Sequence, residues 1–97
     1  MARRFDQTVL EQIRQSTDIV TLISQYVALK KRGRNYLGLC PFHNEKTPSF
    51  TVSPDKGFYH CFGCKASGDA ISFLMKYTNR SFQEAVEMLA ESAGIEL

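Results

Sequence analysis

Four residues that can bind a transition metal stand in two close pairs along the chain. Cys40 and His43 form the first pair and Cys61 and Cys64 the second, which gives the pattern C-x2-H-x17-C-x2-C. Thiolate sulfur and imidazole nitrogen are ligands of four-coordinate structural zinc, and a two-residue spacer lets one turn aim two ligands at one ion. All three cysteines of the chain belong to the pattern. The spacing therefore predicts one structural zinc ion with four protein ligands.

Two other uses of the cysteines fit the sequence less well. A disulfide framework would leave one of the three cysteines unpaired, and residues 1–10 lack the apolar core of a secretory signal. The C-F-G-C motif at 61–64 could alone be a redox pair, but then Cys40 and His43 would have no role. No βαβ pattern surrounds the motif either. A zinc site explains all four residues together.

His60 is a second candidate for the nitrogen ligand because it adjoins Cys61. If residues 57–61 form a strand, successive side chains point to opposite faces, so His60 and Cys61 cannot both face the metal. His43 also has the two-residue spacing from Cys40. We therefore predict His43 as the ligand and His60 as a residue on a sheet face.

The size of the chain makes a metal site useful. A chain of 97 residues, 43% of them hydrophobic, builds one small domain with a modest core. Zinc binding adds folding free energy, on the order of 10 kcal/mol in isolated zinc fingers. Reduced cysteines imply a reducing compartment, and no stretch approaches the roughly 18 apolar residues that span a bilayer. We therefore expect a soluble, cytoplasmic protein without a membrane partner.

The net charge of +2 is unevenly distributed along the chain. Residues 29–68 hold seven basic and two acidic residues, a net +5, whereas residues 69–97 hold two basic and five acidic, a net −3. The aromatic residues of the basic segment include Tyr36, Phe50, Phe58, Tyr59 and Phe62. Cations neutralise phosphates and rings stack on unpaired bases, so this composition favours binding of a single-stranded nucleic acid. A solvated hairpin rim and a small aromatic core are the alternative explanations.

Periodicity and turn signals predict helices at both ends of the chain and two hairpins between them. The expected strands are 27–31, 35–39, 49–53 and 58–61. Each hairpin ends at one ligand pair, so zinc would join the two hairpins. A capping box at 81–84 begins the last helix, and Gly94 follows its end.

These elements predict a single domain over residues 1–97 in three parts. The parts are N-terminal helices over 5–26, a zinc ribbon over 27–66 and C-terminal helices over 69–93. We expect the α+β class, with a small antiparallel sheet of two zinc-linked hairpins flanked by short helices. We also expect the chain to be a fragment of a longer protein.

Three runs of residues carry a resemblance to a known family. They are Asn35-Tyr36, L-C-P-F-H-N-E-K-T-P-S-F-T-V at 39–52, and F-Y-H-C-F-G-C at 58–64 followed by Gly68-Asp69-Ala70-Ile71. In these runs the chain resembles the N-terminal zinc-binding domain of bacterial replicative DNA primase, the DnaG type. The likeness covers essentially the whole chain and keeps all four metal ligands in register.

The resemblance implies a zinc ribbon that precedes an RNA-polymerising core and a helicase-binding domain. In that family the domain helps to bind single-stranded DNA template, to choose where RNA primers start and to initiate them. The implied partners are the template, the primase RNA-polymerase core of the same or a neighbouring chain, and the replicative helicase through full-length primase. The implied location is the bacterial replication fork.

Position on the predicted hairpins indicates which side chains would meet DNA. Zinc would hold both hairpins as a rigid sheet whose basic face binds phosphates while rings or polar groups meet base edges. The candidate phosphate contacts are Arg34, Lys46, Lys56 and Lys65. The candidate base contacts are Tyr59 and His60. Ordinary surface or core positions are the alternative for each of the six.

Other functional classes fit parts of the sequence. The main alternative is a zinc ribbon of the transcription or translation machinery that binds nucleic acid or protein. A protein-interaction module would use an apolar patch and bind independently of salt. A zinc enzyme needs an open coordination position, which four protein ligands close. The carboxylates are scattered over helix faces and not clustered for two-metal phosphoryl transfer, so we expect this chain alone to be no enzyme.

Overall fold

In a computed structural model that describes residues 5–44 and 46–95, two short helices precede a five-stranded sheet and two more follow it. The helices are α1 Gln7–Ser16, α2 Ile19–Ser24, α3 Ala70–Tyr77 and α4 Phe82–Ala93. The strands are β1 Lys30–Arg32, β2 Asn35–Gly38, β3 Phe50–Ser53, β4 Phe58–Cys61 and β5 Ser67–Gly68. The predicted α+β class is confirmed. No helix in the described part of the chain has the length and apolar character needed to cross a membrane.

Each helix begins at a side chain that caps it. Asp6, Asp18 and Asp69 accept hydrogen bonds from backbone N–H groups in the first turns of α1, α2 and α3. Ser81 forms the predicted capping box of α4, which ends at Gly94 with φ 72°. Such caps satisfy N–H donors that have no partner within the helix, and each contributes about 1 kcal/mol. Local sequence therefore determines where the helices start.

The strands form one antiparallel sheet in the order β1-β2-β3-β4-β5. The pairs β1–β2 and β3–β4 are the predicted hairpins. Backbone pairing of β2 with β3, with Leu37 opposite Thr51, also joins the hairpins, so zinc is not their only connection. The strand β5 pairs with β4 and was not predicted, because two residues have no periodicity to detect.

The second helix and the first strand are both shorter than predicted. Val27, expected in a strand, instead donates its backbone N–H to the Ile23 carbonyl at 2.9 Å, and its side chain is buried. The strand starts only at Lys30. Over so few residues, a run of apolar side chains does not distinguish a buried turn from a strand.

The inner face of the sheet supports the hydrophobic core. Its buried residues on β3 and β4 are Phe50, Val52, Tyr59 and Cys61, each no more than 1% exposed. They belong to one cluster with helical residues such as Ile13, Ile23 and Phe73. The helices therefore cover this face, and the alternate residues of the strands form the opposite one.

Candidate zinc centre and outer sheet face

The two predicted ligand pairs meet at one end of the sheet. The ligand atoms of Cys40, His43, Cys61 and Cys64 all lie within 4.8 Å of one another. The Cys40 and Cys64 sulfurs are 3.7 Å apart, and the Cys61 sulfur lies 3.9 Å from His43 Nδ1. Tetrahedral zinc with Zn–S bonds of about 2.3 Å places its sulfurs about 3.8 Å apart. This donor set is therefore positioned to bind one zinc ion, as the sequence predicted.

A glycine shapes the second ligand turn, residues 61–64. A Cβ atom on Gly63 would come 2.9 Å from His43 Nε2 and 3.1 Å from Ser49 Oγ. Such distances are too short for carbon, so a side chain at position 63 would displace the imidazole ligand. The turn closes with the Lys65 N–H donating to the Cys61 carbonyl at 2.9 Å. Close approach of His43 therefore explains the glycine.

Burial and hydrogen bonds act in opposite directions on the thiols. Burial raises the pKa of Cys40 to about 12, although the Phe42 N–H, 3.4 Å from the sulfur, opposes the rise. Burial also acts to raise the pKa of Cys61, but hydrogen bonds from the Ser49 hydroxyl and from backbone N–H groups of the turn outweigh it. The pKa of Cys61 falls to about 7. The hydrogen bonds therefore stabilise the Cys61 thiolate, and a bound zinc ion would stabilise its thiolate ligands directly.

Phe42 connects the first ligand turn to the core. Its ring centroid lies 5.9 Å from that of Tyr59 and 5.8 Å from that of Phe73. Lys76 Nζ lies 4.7 Å from the centroid of the same ring. The zinc centre is therefore continuous with the aromatic core on the helical side of the sheet.

Tyr59 and His60 are neighbours on β4 with opposite environments. Tyr59 is 1% exposed and its ring stacks 5.4 Å from Phe50, so the predicted contact of Tyr59 with a base is not compatible with its burial. Period-two alternation could have shown this, because Tyr59 shares a face with the ligand Cys61. His60 lies on the other face, opposite Thr51, and lies outside the ligand cluster.

Strand register identifies the residues that share a face with His60. One cross-strand row runs Lys30, Leu37, Thr51, His60, Ser67. The alternating neighbours on the same face are Arg32, Asn35, Ser53 and Phe58. We call this set the outer face. Lys30, Arg32 and Phe58 are not among the predicted DNA contacts, although the same alternation selects them.

Aromatic side chains on the outer face are exposed. Phe58 is 54% exposed, and Phe62, directly after Cys61, is 62% exposed. The Phe62 ring lies 4.6 Å from the His60 ring in an edge-on arrangement. Phe58, His60 and Phe62 therefore form an aromatic row along β4 and beyond its end, outside the hydrophobic core.

The four predicted phosphate contacts lie at opposite ends of the sheet. Arg34 and Lys56 are exposed in the β1–β2 and β3–β4 turns, which lie at the same end of the antiparallel sheet. Lys46 and Lys65 are exposed near the zinc centre, in the connection that carries His43 and directly after Cys64. The structure does not bring the four side chains to one point. Two of them lie at each end of the sheet.

Comparison with known proteins agrees with this geometry. Residues 5–97 match the model of the CHC2 zinc finger family. The chain is 57% identical over 97 residues to the DNA primase of Halalkalibacterium halodurans, and 54% identical to that of Geobacillus stearothermophilus. In each case the match covers all of this chain and 16% of the relative's length.

A solved structure of Aquifex aeolicus primase, comprising its zinc-binding and RNA polymerase domains, superposes on this fold with a TM-score of 0.86. The sequences are 46% identical, and the match covers 92% of this chain and 22% of that one. The four-ligand centre, the family match and the alignment over nearly the whole chain lead to one conclusion. This chain belongs to the CHC2 zinc finger family, the zinc-binding domain of DnaG-type DNA primases.

Proposed function

We propose that this domain holds single-stranded DNA template on the outer face of its sheet, and that it supports start-site recognition and initiation of RNA primers. The observation that carries the proposal is the combination of exposed cations and exposed aromatic rings on a face that the core does not use. Cations bind the phosphate backbone and rings stack on unpaired bases, which is the usual design of single-strand binding surfaces.

The aromatic row supplies the stacking surface. Phe58, His60 and Phe62 alternate along the chain, and the His60 and Phe62 rings lie 4.6 Å apart. Neither phenylalanine is buried in the core, and large exposed apolar residues that cluster on one face indicate a binding site. The burial of Tyr59 argues against this role for its ring, whereas His60 remains a candidate base contact.

Basic residues surround the aromatic row. Lys30 and Arg32 project from β1 on the outer face. The residues at the two ends are Arg34, Lys46, Lys56 and Lys65. A DNA strand that crosses the sheet would meet cations before, beside and after the rings. Zinc supports this arrangement because the ligand turn 61–64 determines where Phe62 and Lys65 lie.

The relatives support a wider role. Those compared are DNA primases, and the solved neighbour contains an RNA polymerase domain beside its zinc-binding domain. We propose that this domain acts with such a core, in the same or a neighbouring chain, and reaches the replicative helicase through full-length primase at the cytoplasmic replication fork. The polymerising carboxylates would belong to the core, and this domain would be non-catalytic. These relatives favour a primase over a transcription or translation ribbon.

The test is primer synthesis on a single-stranded template with labelled ribonucleotides. We expect no primers from the chain alone, and stimulation when it is added to a primase core that lacks its zinc domain. Phe58→Ala should reduce the stimulation. Phe82→Ala is the matched control, because Phe82 is a 42% exposed phenylalanine on α4, away from the outer face.

Two results would contradict the proposal. Primers made by the isolated chain would exclude the non-catalytic role. Stimulation that is equally strong with wild type, Phe58→Ala and Phe62→Ala would show that the outer face does not act in initiation.

A further inference from the structure

A cleft lies beside the end of the sheet that carries the β1–β2 and β3–β4 turns. Unlike those of the outer face, its charged side chains are mostly carboxylates. It encloses about 780 Å³ between α1, the start of α2, the β3–β4 turn and the start of α3. Its carboxylates are Glu11, Asp18, Asp55 and Asp69. Its cations are Arg14 and Lys56. The cleft is therefore a predominantly acidic site next to a basic face.

Two of the four carboxylates have structural roles. Asp18 caps α2, and Asp69 caps α3 and accepts a hydrogen bond from Arg14 at 3.3 Å. Glu11 and Asp55 make no side-chain hydrogen bond or ion pair with any residue that the structure describes. They line the cleft from α1 and from the β3–β4 turn. Two carboxylates on separate elements are thus available to a ligand.

The cleft is continuous with the proposed DNA path. Phe58 belongs both to the outer face and to the lining of the cleft, and Lys56 lines the cleft from the turn. Arg34 lies in the β1–β2 turn, at the same end of the sheet. A strand bound across the outer face would therefore pass the mouth of the cleft. A volume within roughly 300–1,000 Å³ is typical of sites for small molecules, and a nucleobase is of that class.

The charge of the cleft selects the kind of group it can hold. Four carboxylates against two cations disfavour a phosphate. Carboxylates instead accept hydrogen bonds from exocyclic amino groups such as N4 of cytosine. Thymine has no amino group, and its one N–H lies between two carbonyl oxygens that carboxylates repel.

We propose that the cleft receives one unstacked template base that carries an exocyclic amino group, and that Asp55 and Glu11 determine this preference. The inference rests on the proposed binding of single-stranded DNA to the outer face. It adds a base-specific site to the phosphate and stacking contacts of that surface.

The test compares fluorescently labelled (dC)12 with (dT)12 at pH 8 and one salt concentration. The two have the same charge, so the ratio of their affinities removes the phosphate contribution, and the change of that ratio in a cleft variant reports recognition by the cleft. We expect the wild-type chain to bind (dC)12 at least about tenfold more tightly than (dT)12, the effect of one hydrogen bond to a charged group. The double variant Asp55→Asn, Glu11→Gln should bring the ratio close to one.

The ratio is the readout because removal of negative charge strengthens the binding of both oligonucleotides. Glu91→Gln is the matched control. It removes an exposed carboxylate on α4, outside the cleft lining, and should leave the ratio unchanged. A second measurement is the change in backbone amide shifts of the wild-type chain, which should be larger at Thr17 and Gly57 with (dC)12 than with (dT)12.

The outcomes separate this inference from the proposed function. If neither oligonucleotide binds, the proposed function fails and this inference with it. If both bind equally, or if the double variant folds and keeps the wild-type ratio, the inference fails and the proposed function stands. If the double variant does not fold, equal amide shifts at Thr17 and Gly57 with the two oligonucleotides would overturn the inference.

Discussion

The two faces of the sheet are made by the same strands but differ in what their residues do. On β4, Tyr59 and Cys61 face inward and are at most 1% exposed, whereas Phe58 faces outward and is 54% exposed. The inward residues belong to the core, which Cys61 joins to the metal centre, whereas Phe58 and His60 belong to neither the core cluster nor the ligand cluster. Stability and the proposed binding therefore reside in alternate residues, and substitutions on the two faces should have separable effects.

The largest effect should follow loss of the metal centre, which supports both faces. Cys61→Ala removes one of four ligands, and structural zinc contributes on the order of 10 kcal/mol to the folding of small zinc domains. We expect one zinc per wild-type chain in native mass spectrometry and none in the variant, with altered circular dichroism. Acidification should also release the metal, because protons compete for the thiolates and the imidazole. A variant that keeps its zinc and its spectrum would contradict the assignment of the site.

The second-largest effect should follow truncation of a buried side chain on the inner face. Phe50 is 0% exposed and contacts the rings of Phe42, Tyr59 and Phe73. Phe50→Ala should therefore lower the free energy of unfolding by about 3–5 kcal/mol.

The adjacent outward residue gives the matched comparison. Thr51→Ala should change the free energy of unfolding by less than about 1 kcal/mol, because its side chain is half-exposed. Urea unfolding at a fixed free zinc concentration measures both variants. Equal losses from Phe50→Ala and Thr51→Ala would refute the division between the faces.

The reverse pattern is expected for the aromatic row. Phe62→Ala should weaken binding of single-stranded DNA by about 1–3 kcal/mol, the value of one base stacked on a ring. The free energy of unfolding should change by no more than about 0.5 kcal/mol, since Phe62 is 62% exposed. Fluorescence anisotropy gives the affinity, with Phe82→Ala as control. A Phe62→Ala variant that is destabilised but binds DNA normally would contradict the assignment of Phe62 to DNA binding.

The smallest effect should come from the capping box of α4, which lies outside the outer face. Ser81→Ala should lower the free energy of unfolding by about 1 kcal/mol and leave DNA affinity unchanged.

The backbone N–H and hydroxyl of Ser81 lower the pKa of Glu84 by hydrogen bonding. A lowered pKa in the folded state stabilises the fold above the unfolded pKa, and the benefit is lost as the pH falls through the folded value. Because the carboxylate is charged at pH 7, where zinc stays bound, Glu84→Gln should melt at a lower temperature than wild type there, and equal melting temperatures would exclude this role of Glu84.

Features that depend on short stretches of chain could be predicted from the sequence. The zinc ligands follow from two spacings of two residues, and the start of α4 follows from its capping box. Both hairpins follow from alternation around turn residues at Gly33 and at 54–57. Within each ligand pair, capping box and hairpin turn, the residues that form the pattern lie within a few positions of one another, so a short stretch of sequence contains the signal.

Features that depend on distant contacts could not be read in this way. The β2–β3 pairing, the short β5 and the cleft between α1 and the β3–β4 turn arise only when separate segments come together. Tyr59 is the instructive error: its position beside basic residues suggested contact with DNA. Its alternation with His60, combined with the inward direction that Cys61 requires, already placed it in the core.

The most direct test of the central claim is the salt dependence of single-stranded DNA affinity for substitutions along β1. Lys30 and Arg32 lie on the outer face, whereas Lys31 between them is paired with Tyr36 on the inner side. Binding weakens as salt rises, so the slope of log affinity against log salt is negative. Replacing Lys30 and Arg32 together with Ala should reduce the magnitude of this slope by about 1.4, or about 0.7 per lost phosphate contact. Lys31→Ala should leave the slope at the wild-type value, and zinc content should stay at one per chain in all variants. A slope that is unchanged in the double variant, or whose magnitude Lys31→Ala reduces equally, would contradict template binding on the outer face.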